Sequence, residues 1–331
     1  MPRTRLYRHG VLEAEGFDPR EAADLRREDG ALVWIDLLAP DPALLDRVGE
    51  ELGWHALAVE DAVEPHERPK LHEYDTHRLL TAYAVRLGDD GALTTAGITA
   101  FATPDALVTV RPDEAFDIDA VVDRWDATTH LAASGVGYLL HGLLDYAVDT
   151  HFDAVQALDG RIEGLEDLVF ADQDRSGPGR RGGSDTDLQR QALALRKSLV
   201  ALRRVVLPMR EVVNALVRRD HDLVDTRMAP YYQDVYDHVL RAAEWTDSLR
   251  DLVATVRETQ LSIQANRLNL VMKKVTGWAA VIAVPTAITG YFGQNIPFPG
   301  FDQPWGFWAS TAAITAGGLG LYSLFKHEDW L

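Results

Sequence analysis

Cysteine is absent from the 331-residue chain. Disulfides, thiolate metal ligands and a cysteine nucleophile are therefore excluded. Basic residues are scarce beside acidic ones: 33 Lys and Arg against 51 Asp and Glu, a formal net charge of −18. Nucleic-acid binding needs a basic footprint and does not fit that balance, whereas a surplus of carboxylates suits cations. Catalytic signatures are missing as well. There is no His-Glu-x-x-His, no Gly-rich phosphate loop and no nucleophile elbow. The eleven histidines, His55, His66, His72 and His151 among them, are scattered. The first twenty residues lack the apolar core of a secretory signal, which places the N-terminal part in the cytosol.

Charge vanishes from two stretches near the C-terminus. None lies between Lys274 and Asp302, nor in "PWGFWASTAAITAGGLGLYSLF", residues 304–325. Residues 275–293 alone approach the roughly 20 residues that cross a bilayer. Two such spans joined by a short loop form a hairpin with both ends on one side. Lys273 and Lys274 precede the first span, Lys326 follows the second, and the loop has no Lys or Arg. The positive-inside rule then puts both termini in the cytosol and the loop outside. Trp305, Trp308 and Tyr322 suit interfacial positions.

Upstream the pattern changes twice. Residues 1–134 read as a small α/β domain. "ALVWIDLL" (31–38) and "ALVTVRP" (106–112) are strand-like. "RLLTAYAVRL" (78–87) and "LTTAGITAFAT" (93–103) flank the turn "GDDG". A helix opens at the Asp41 cap with Pro42 in its first turn and stops at Gly53. Residues 135–228 carry helical periodicity, broken by a Gly-, Pro- and Ser-rich connector at 171–187. Pro208 is expected to kink or divide the helix over 188–217. A further helix starts near Ala229 and meets no Gly or Pro from Tyr231 to Thr276, about 69 Å at ~1.5 Å per residue. It forms a stalk (229–274) continuous with a first transmembrane helix (275–293). A loop (294–303), a second transmembrane helix (304–325) and a tail (326–331) follow. The fold class is α+β.

Gly293, Thr286, Ala279 and Met272 recur every seven residues, small or hydroxylated outside and apolar further in. Two readings fit. Copies around an axis would line a channel with this stripe and a constriction near Met272, or the small residues pack against the second span, itself rich in Ala and Gly. On the channel reading the lining comprises Asn269, Met272, Val275, Ala279, Ala283 and Thr286. On the stalk, Asp237, Glu244, Asp251 and Glu258 also recur every seven residues. They form either a cation-sensing surface or a solvated face with local pairs such as Asp237–Arg241.

The motif "YFGQN" (291–295), a long helix entering the membrane and a short second span resemble the CorA-type magnesium transporters. That family's loop signature is Gly-Met-Asn. Here Gly293, Gln294 and Asn295 match it, with Gln294 in place of Met. "HALAVEDAVEPHERPKLHEYDTHRLLTAY" (55–83) and "LRRVVLPMREVVNAL" (202–216) are similar to further family stretches. The resemblance covers nearly the whole chain. It implies a funnel-shaped homopentamer in the cell membrane, with the first span lining the pore and the Asn295 amide facing hydrated magnesium at its mouth. Magnesium is then both substrate and regulatory ligand, with no prosthetic group and no enzymatic activity. Asp302 becomes an exterior attractor for cations. Lys273, Lys274 and Lys326 form a basic belt, short because the tail reads "KHEDWL". Asp234 matches the family's regulatory stalk carboxylate, with Asp237 and Glu244 nearby and Asp89 and Asp90 as candidate partners. Zinc-transporting relatives also vary the middle position of the triplet, so zinc or another divalent cation stays open, as does a membrane-anchored sensor without transport.

Overall fold

The computed structural model describes residues 2–63, 68–174, 184–219, 223–294, 297, 299–301, 303–328 and 330. The chain forms two compact units, Met1–Thr255 and Val256–Leu331.

The first unit contains a seven-stranded sheet. Its strands are β1 (Arg3–Arg8), β2 (Val11–Glu15), β3 (Ala31–Leu38), β4 (Lys70–Glu73), β5 (Arg78–Leu87), β6 (Leu93–Ala102) and β7 (Ala106–Arg111), in the order β2-β1-β3-β7-β6-β5-β4. Only β3 and β7 run parallel; every other pair is antiparallel. Alternation along β3 explains the two sides. Val33, Ile35 and Leu37 face a cluster with Ala106, Val108 and Val110 of β7. Helix α1 (Ala22–Leu25) and helices α2 (Pro42–Leu52) and α3 (Ala56–Val63) cover that side. In α2 the Asp41 carboxylate accepts from the Ala43 N–H at 3.0 Å, and Gly53 closes the helix in the left-handed region at φ 73°. Only glycine holds that conformation without a Cβ penalty.

On the other side, Trp34 meets Trp125 of α4 (Ile118–Ala127) edge-on at 4.9 Å. Asp36, 1% exposed, pairs with the buried Arg111. The guanidinium reaches its carboxylate at 2.6 Å and the Phe116 carbonyl at 3.1 Å, and the Thr109 hydroxyl donates to Asp36 at 2.8 Å. A buried pair satisfied on all sides avoids the cost of an uncompensated charge.

Three long helices complete this unit: α5 (Val136–Asp174), α6 (Ser184–Arg219) and α7 (Ala229–Phe292) as far as Thr255. Arg161 of α5 donates to the Gly88 carbonyl at 2.7 Å and Ser198 of α6 to the Gly91 carbonyl at 2.6 Å, so the β5–β6 turn is gripped by both. Helix α7 runs beside α5: the Tyr232 hydroxyl donates to the Gly137 carbonyl at 2.9 Å, and Trp245 meets Phe152 at 5.5 Å.

Of the two outcomes expected at Pro208, division does not occur; the helix is unbroken from Ser184 to Arg219. The proline removes one backbone bond, a loss of about 3 kcal/mol. Its neighbours Leu202, Val205, Val206, Met209, Val212 and Val213 are all buried. At roughly 1.5–3 kcal/mol per buried side chain, that face outweighs the loss.

The second unit is a helical hairpin: α7 from Val256 to Phe292, then α8 (Pro304–His327). The helices are antiparallel. Trp278 faces Tyr322 at 6.4 Å, and a β-carbon built on Gly317 would stand 3.1 Å from Val284 Cγ1. Helix α7 is the one helix among the described residues that is long and apolar enough to cross a membrane, and only 6% of its most apolar window is buried. So much uncovered apolar surface is unsuited to water. Helix α8 has the length expected of a second span, but its Gly, Ser, Thr and Trp residues leave it less apolar than the span of α7.

Candidate ion pathway and regulatory surface

Helix α7 has two unlike faces in the hairpin. Gly277 is buried, and Val281, Val284, Pro285 and Ile288 are half-buried. At ~100° per residue these five fall within about 100° of one another. Gly317 and Gly318 of α8 stand against Val284, Ile288 and Pro285, so this is the packed face. Met272, Val275, Ala279, Ala283, Thr286 and Gly293 are all exposed and fall roughly on the opposite side. Asn269 is also exposed, toward the edge of that face. Of the two readings that the sequence leaves open, packing against α8 uses different residues of α7.

The uncharged face carries hydrogen-bond polarity at Thr286 and, at its edge, at Thr289. Thr286 Oγ1 donates to the Ile282 carbonyl at 2.8 Å, and Thr289 Oγ1 to the Pro285 carbonyl at 2.6 Å. Their hydrogens are engaged inside the helix, so the hydroxyl oxygens present acceptor lone pairs outward. Acceptors suit the hydrogens of a cation's water shell. Helix α7 ends at Phe292. The Gly293 N–H still donates to the Thr289 carbonyl at 2.8 Å, and the Gln294 N–H to the Tyr291 carbonyl at 3.4 Å. Both residues are exposed. Asn295 and Asp302 lie outside the described residues. The return into α8 is tight: Gly300 has φ 95°, and a β-carbon on Gly306 would collide with the Gly300 carbonyl.

Lys273, Lys274 and Lys326 are exposed at the other end of the hairpin. Lys326 Nζ sits 5.8 Å over the Tyr322 ring, the same ring that faces Trp278. A cation over an aromatic face is held by the ring quadrupole.

The acidic stalk residues divide by partner. Asp247 is absorbed by Arg203 at 2.7 Å and Arg250 at 3.0 Å. Burial pushes its carboxyl up, but the two guanidinium groups outweigh that and leave it below its usual value. Asp237 accepts from Gln233 at 2.9 Å, whereas Arg241 donates to the Asp237 main-chain carbonyl, so the anticipated Asp237–Arg241 side-chain pair is not formed. Asp234, Glu244, Asp251 and Glu258 are exposed. Asp90 accepts from the Ala92 N–H at 3.0 Å as part of its turn, and Asp89 is exposed beside it. That turn lies at the height of Arg161, while Asp234 lies near Gly137 at the start of α5, 24 residues or about 36 Å along the helix. One chain does not bring Asp89 or Asp90 to Asp234. Among the described residues no three His, Asp or Glu side chains are assembled to hold a metal.

Two histidines outside any sequence motif stand at Asp234. His238 Nε2 is 3.9 Å from its carboxylate. The His141 ring packs edge-on against Tyr231 and Tyr232 at 5.7 and 5.6 Å. Burial lowers the His141 pKa, against the opposing pull of Asp145 and Asp234. The i, i+4 spacing of Asp234 and His238 is the sequence signal for one of them; nothing in the sequence marks His141.

Comparison with known proteins places the chain in a family. A family model described as CorA-like Mg2+ transporter protein matches residues 29–327. The putative metal ion transporter YfjQ of Bacillus subtilis is 27% identical over 307 residues, 92% of each chain. The cobalt/magnesium transport protein CorA of Thermotoga maritima is 26% identical over 312 residues, 92% of this chain and 85% of the relative. The zinc transport protein ZntB of Yersinia enterocolitica is 26% identical over 261 residues, 74% of this chain and 76% of the relative. Among solved structures, the complete CorA magnesium transporter from Methanocaldococcus jannaschii superposes with a TM-score of 0.76 at 21% identity, over 100% of this chain and 99% of that one. Full-length CmaX gives 0.73 at 19% identity, over 98% and 96%. The chain belongs to the CorA-like Mg2+ transporter family and is a divalent-cation transporter, not an enzyme.

Proposed function

We propose that the chain is a channel-like magnesium transporter, working as a homopentamer whose α7 helices line the pore. The observation that carries this reading is the exposed face of α7 from Met272 to Gly293. It is uncharged, opposite the α8 contact, and carries the outward acceptor of Thr286. Magnesium parts reluctantly with its water. A face that accepts hydrogen bonds from those waters can pass the ion without stripping it. Asn295, with Gly293 and Gln294, forms the mouth, Asp302 draws cations toward it, and Met272 forms the inner constriction. Both termini are cytosolic and α8 is the second span. Uptake of magnesium into liposomes by the purified protein tests the reading. Uptake equal for wild type and Asn295→Ala would remove Asn295 from the mouth, and no uptake by wild type would refute transport.

Internal magnesium regulates the pore by bridging Asp234 of one copy and the Asp89–Asp90 turn of another, which one chain cannot bring together. Clustered carboxylates repel, and a divalent cation relieves that repulsion. Magnesium in the millimolar range is expected to slow limited proteolysis of the wild type; unchanged cleavage would refute the sensor.

Zinc is the second reading, favoured by Gln294 and by the match to ZntB. Parallel uptake of magnesium, cobalt, nickel and zinc decides between the two.

A further inference from the structure

Helix α5 contains two interior glycines, Gly160 and Gly164, that no contact among the described residues explains. Both are exposed, and a β-carbon on either would meet nothing within 4 Å. Glycine weakens a helix interior relative to alanine. What it offers in return is a surface another backbone can approach closely. The exposed acids Asp153, Glu163 and Asp167 flank this groove.

Helix α6 shows the converse. Leu193 and Val200 stand out at 52% and 38% exposure, and Lys197 and Arg204 are exposed along the same three- and four-residue spacing. The net charge of the chain is −18, yet the exposed charges on this stretch from Arg190 to Arg204 are all basic. Among the described residues neither Lys197 nor Arg204 has a side-chain partner. An apolar ridge edged with cations thus matches a glycine groove edged with carboxylates.

The two surfaces lie at matching heights. Arg161 and Ser198 grip the same turn, and Phe152 and Arg203 both reach α7, at Trp245 and Asp247. Counting in opposite directions from these ties sets Asp153 level with Arg204 and Gly164 level with Leu193. In a ring of copies, neighbours stand at equal height along the axis, and each presents one surface to the other's complement.

We infer that α6 of one copy docks onto the Gly160–Gly164 groove of α5 of the next copy around the ring. The contact is heterologous: Leu193 and Val200 seat against the glycines, Arg204 pairs with Asp153, and Lys197 with Glu163. It rests on the oligomeric transporter reading and adds a cytosolic inter-subunit contact separate from the pore helices.

Because the native chain has no cysteine, cross-linking of the full-length protein in membranes tests the contact cleanly. Oxidation of the Gly164→Cys/Leu193→Cys variant should give a ladder of covalent multimers on a non-reducing gel, and either single variant only monomer. Monomer from the double variant, with an oligomer like the wild type on a native gel, would overturn the contact while leaving the transporter reading intact. Dimer from Gly164→Cys alone would overturn it in favour of an α5–α5 contact. A wild type that neither assembles nor takes up cations would instead refute the reading beneath. Charge reversal gives a second measure. Lys197→Glu with Arg204→Glu should lower the midpoint of thermal dissociation of the oligomer by several degrees. Adding Asp153→Arg and Glu163→Lys should restore it; failure to restore it overturns the pairing.

Discussion

His151 of α5 places its Nε2 2.7 Å from the carbonyl oxygen of Tyr83, on the part of β5 that β4 does not cover. Next to it, the Val85 N–H donates to Thr150 Oγ1 at 3.0 Å. Two side chains of one helix thus close the free edge of a strand, which would otherwise invite pairing with another chain. A carbonyl only accepts, so Nε2 carries a proton.

That arrangement makes stability pH-dependent. Burial pulls the His151 pKa down to about 4 from an ordinary 6.5. A histidine held neutral stabilises fully above its unfolded value, and the contribution fades as pH falls from about 6.5 toward 4. The full difference corresponds to about 3 kcal/mol. The melting temperature of the detergent-solubilised protein should fall between pH 7.5 and pH 5. In His151→Gln, whose amide can still donate to Tyr83, that fall should be smaller. An identical pH slope in both proteins would count against the assignment.

The Asp36–Arg111 pair should respond asymmetrically. Arg111→Leu strands a buried carboxylate and should destabilise the protein by about 3–5 kcal/mol. Asp36→Asn with Arg111→Leu leaves no uncompensated charge and should recover part of the loss. Thermal melts of the two variants check the order.

Gly306 is set by steric demand. Because a β-carbon there meets the Gly300 carbonyl, Gly306→Ala should displace the return into α8 and abolish uptake. The first unit, Met1–Thr255, should still melt like the wild type. Gly317→Ala, tight against one flexible Val284 methyl, should cost only a little stability.

Thr286→Val keeps the shape of the exposed α7 face and deletes an outward acceptor. Losing about one hydrogen bond's worth of stabilisation, ~1.4 kcal/mol, should slow magnesium uptake about tenfold. Oligomer size on a native gel should not change. Uptake equal to wild type would remove Thr286 from the pathway.

Much of this architecture is legible in the sequence. "ALVWIDLL" and "RLLTAYAVRL" coincide with β3 and β5, and the Asp41 cap and Gly53 stop bound α2. These segments declare themselves through local periodicity and turn chemistry. Strands β1, β2 and β4 do not. "RTRLYR" buries Arg5, whose charge is met by Glu15 and Asp126 from elsewhere in the fold, and β4 is only four residues long. Pro208 does not divide its helix because its local cost is outweighed by tertiary burial. For the candidate site, the sevenfold stripe of α7 is visible in the residue spacing. The engagement of the Thr286 hydroxyl within its own helix, and the neighbours of Asp234, depend on three-dimensional placement.

On the proposed reading in which α7 lines the pore, the inward-turned hydroxyl hydrogens of Thr286 and Thr289 bear on the sign of the permeating ion. An anion is solvated by donors, and neither threonine has a hydrogen left to offer. A halide passing these residues would surrender its hydration and gain nothing. On that proposed path the α7 face would discriminate against anions by the direction of its dipoles, without a single carboxylate.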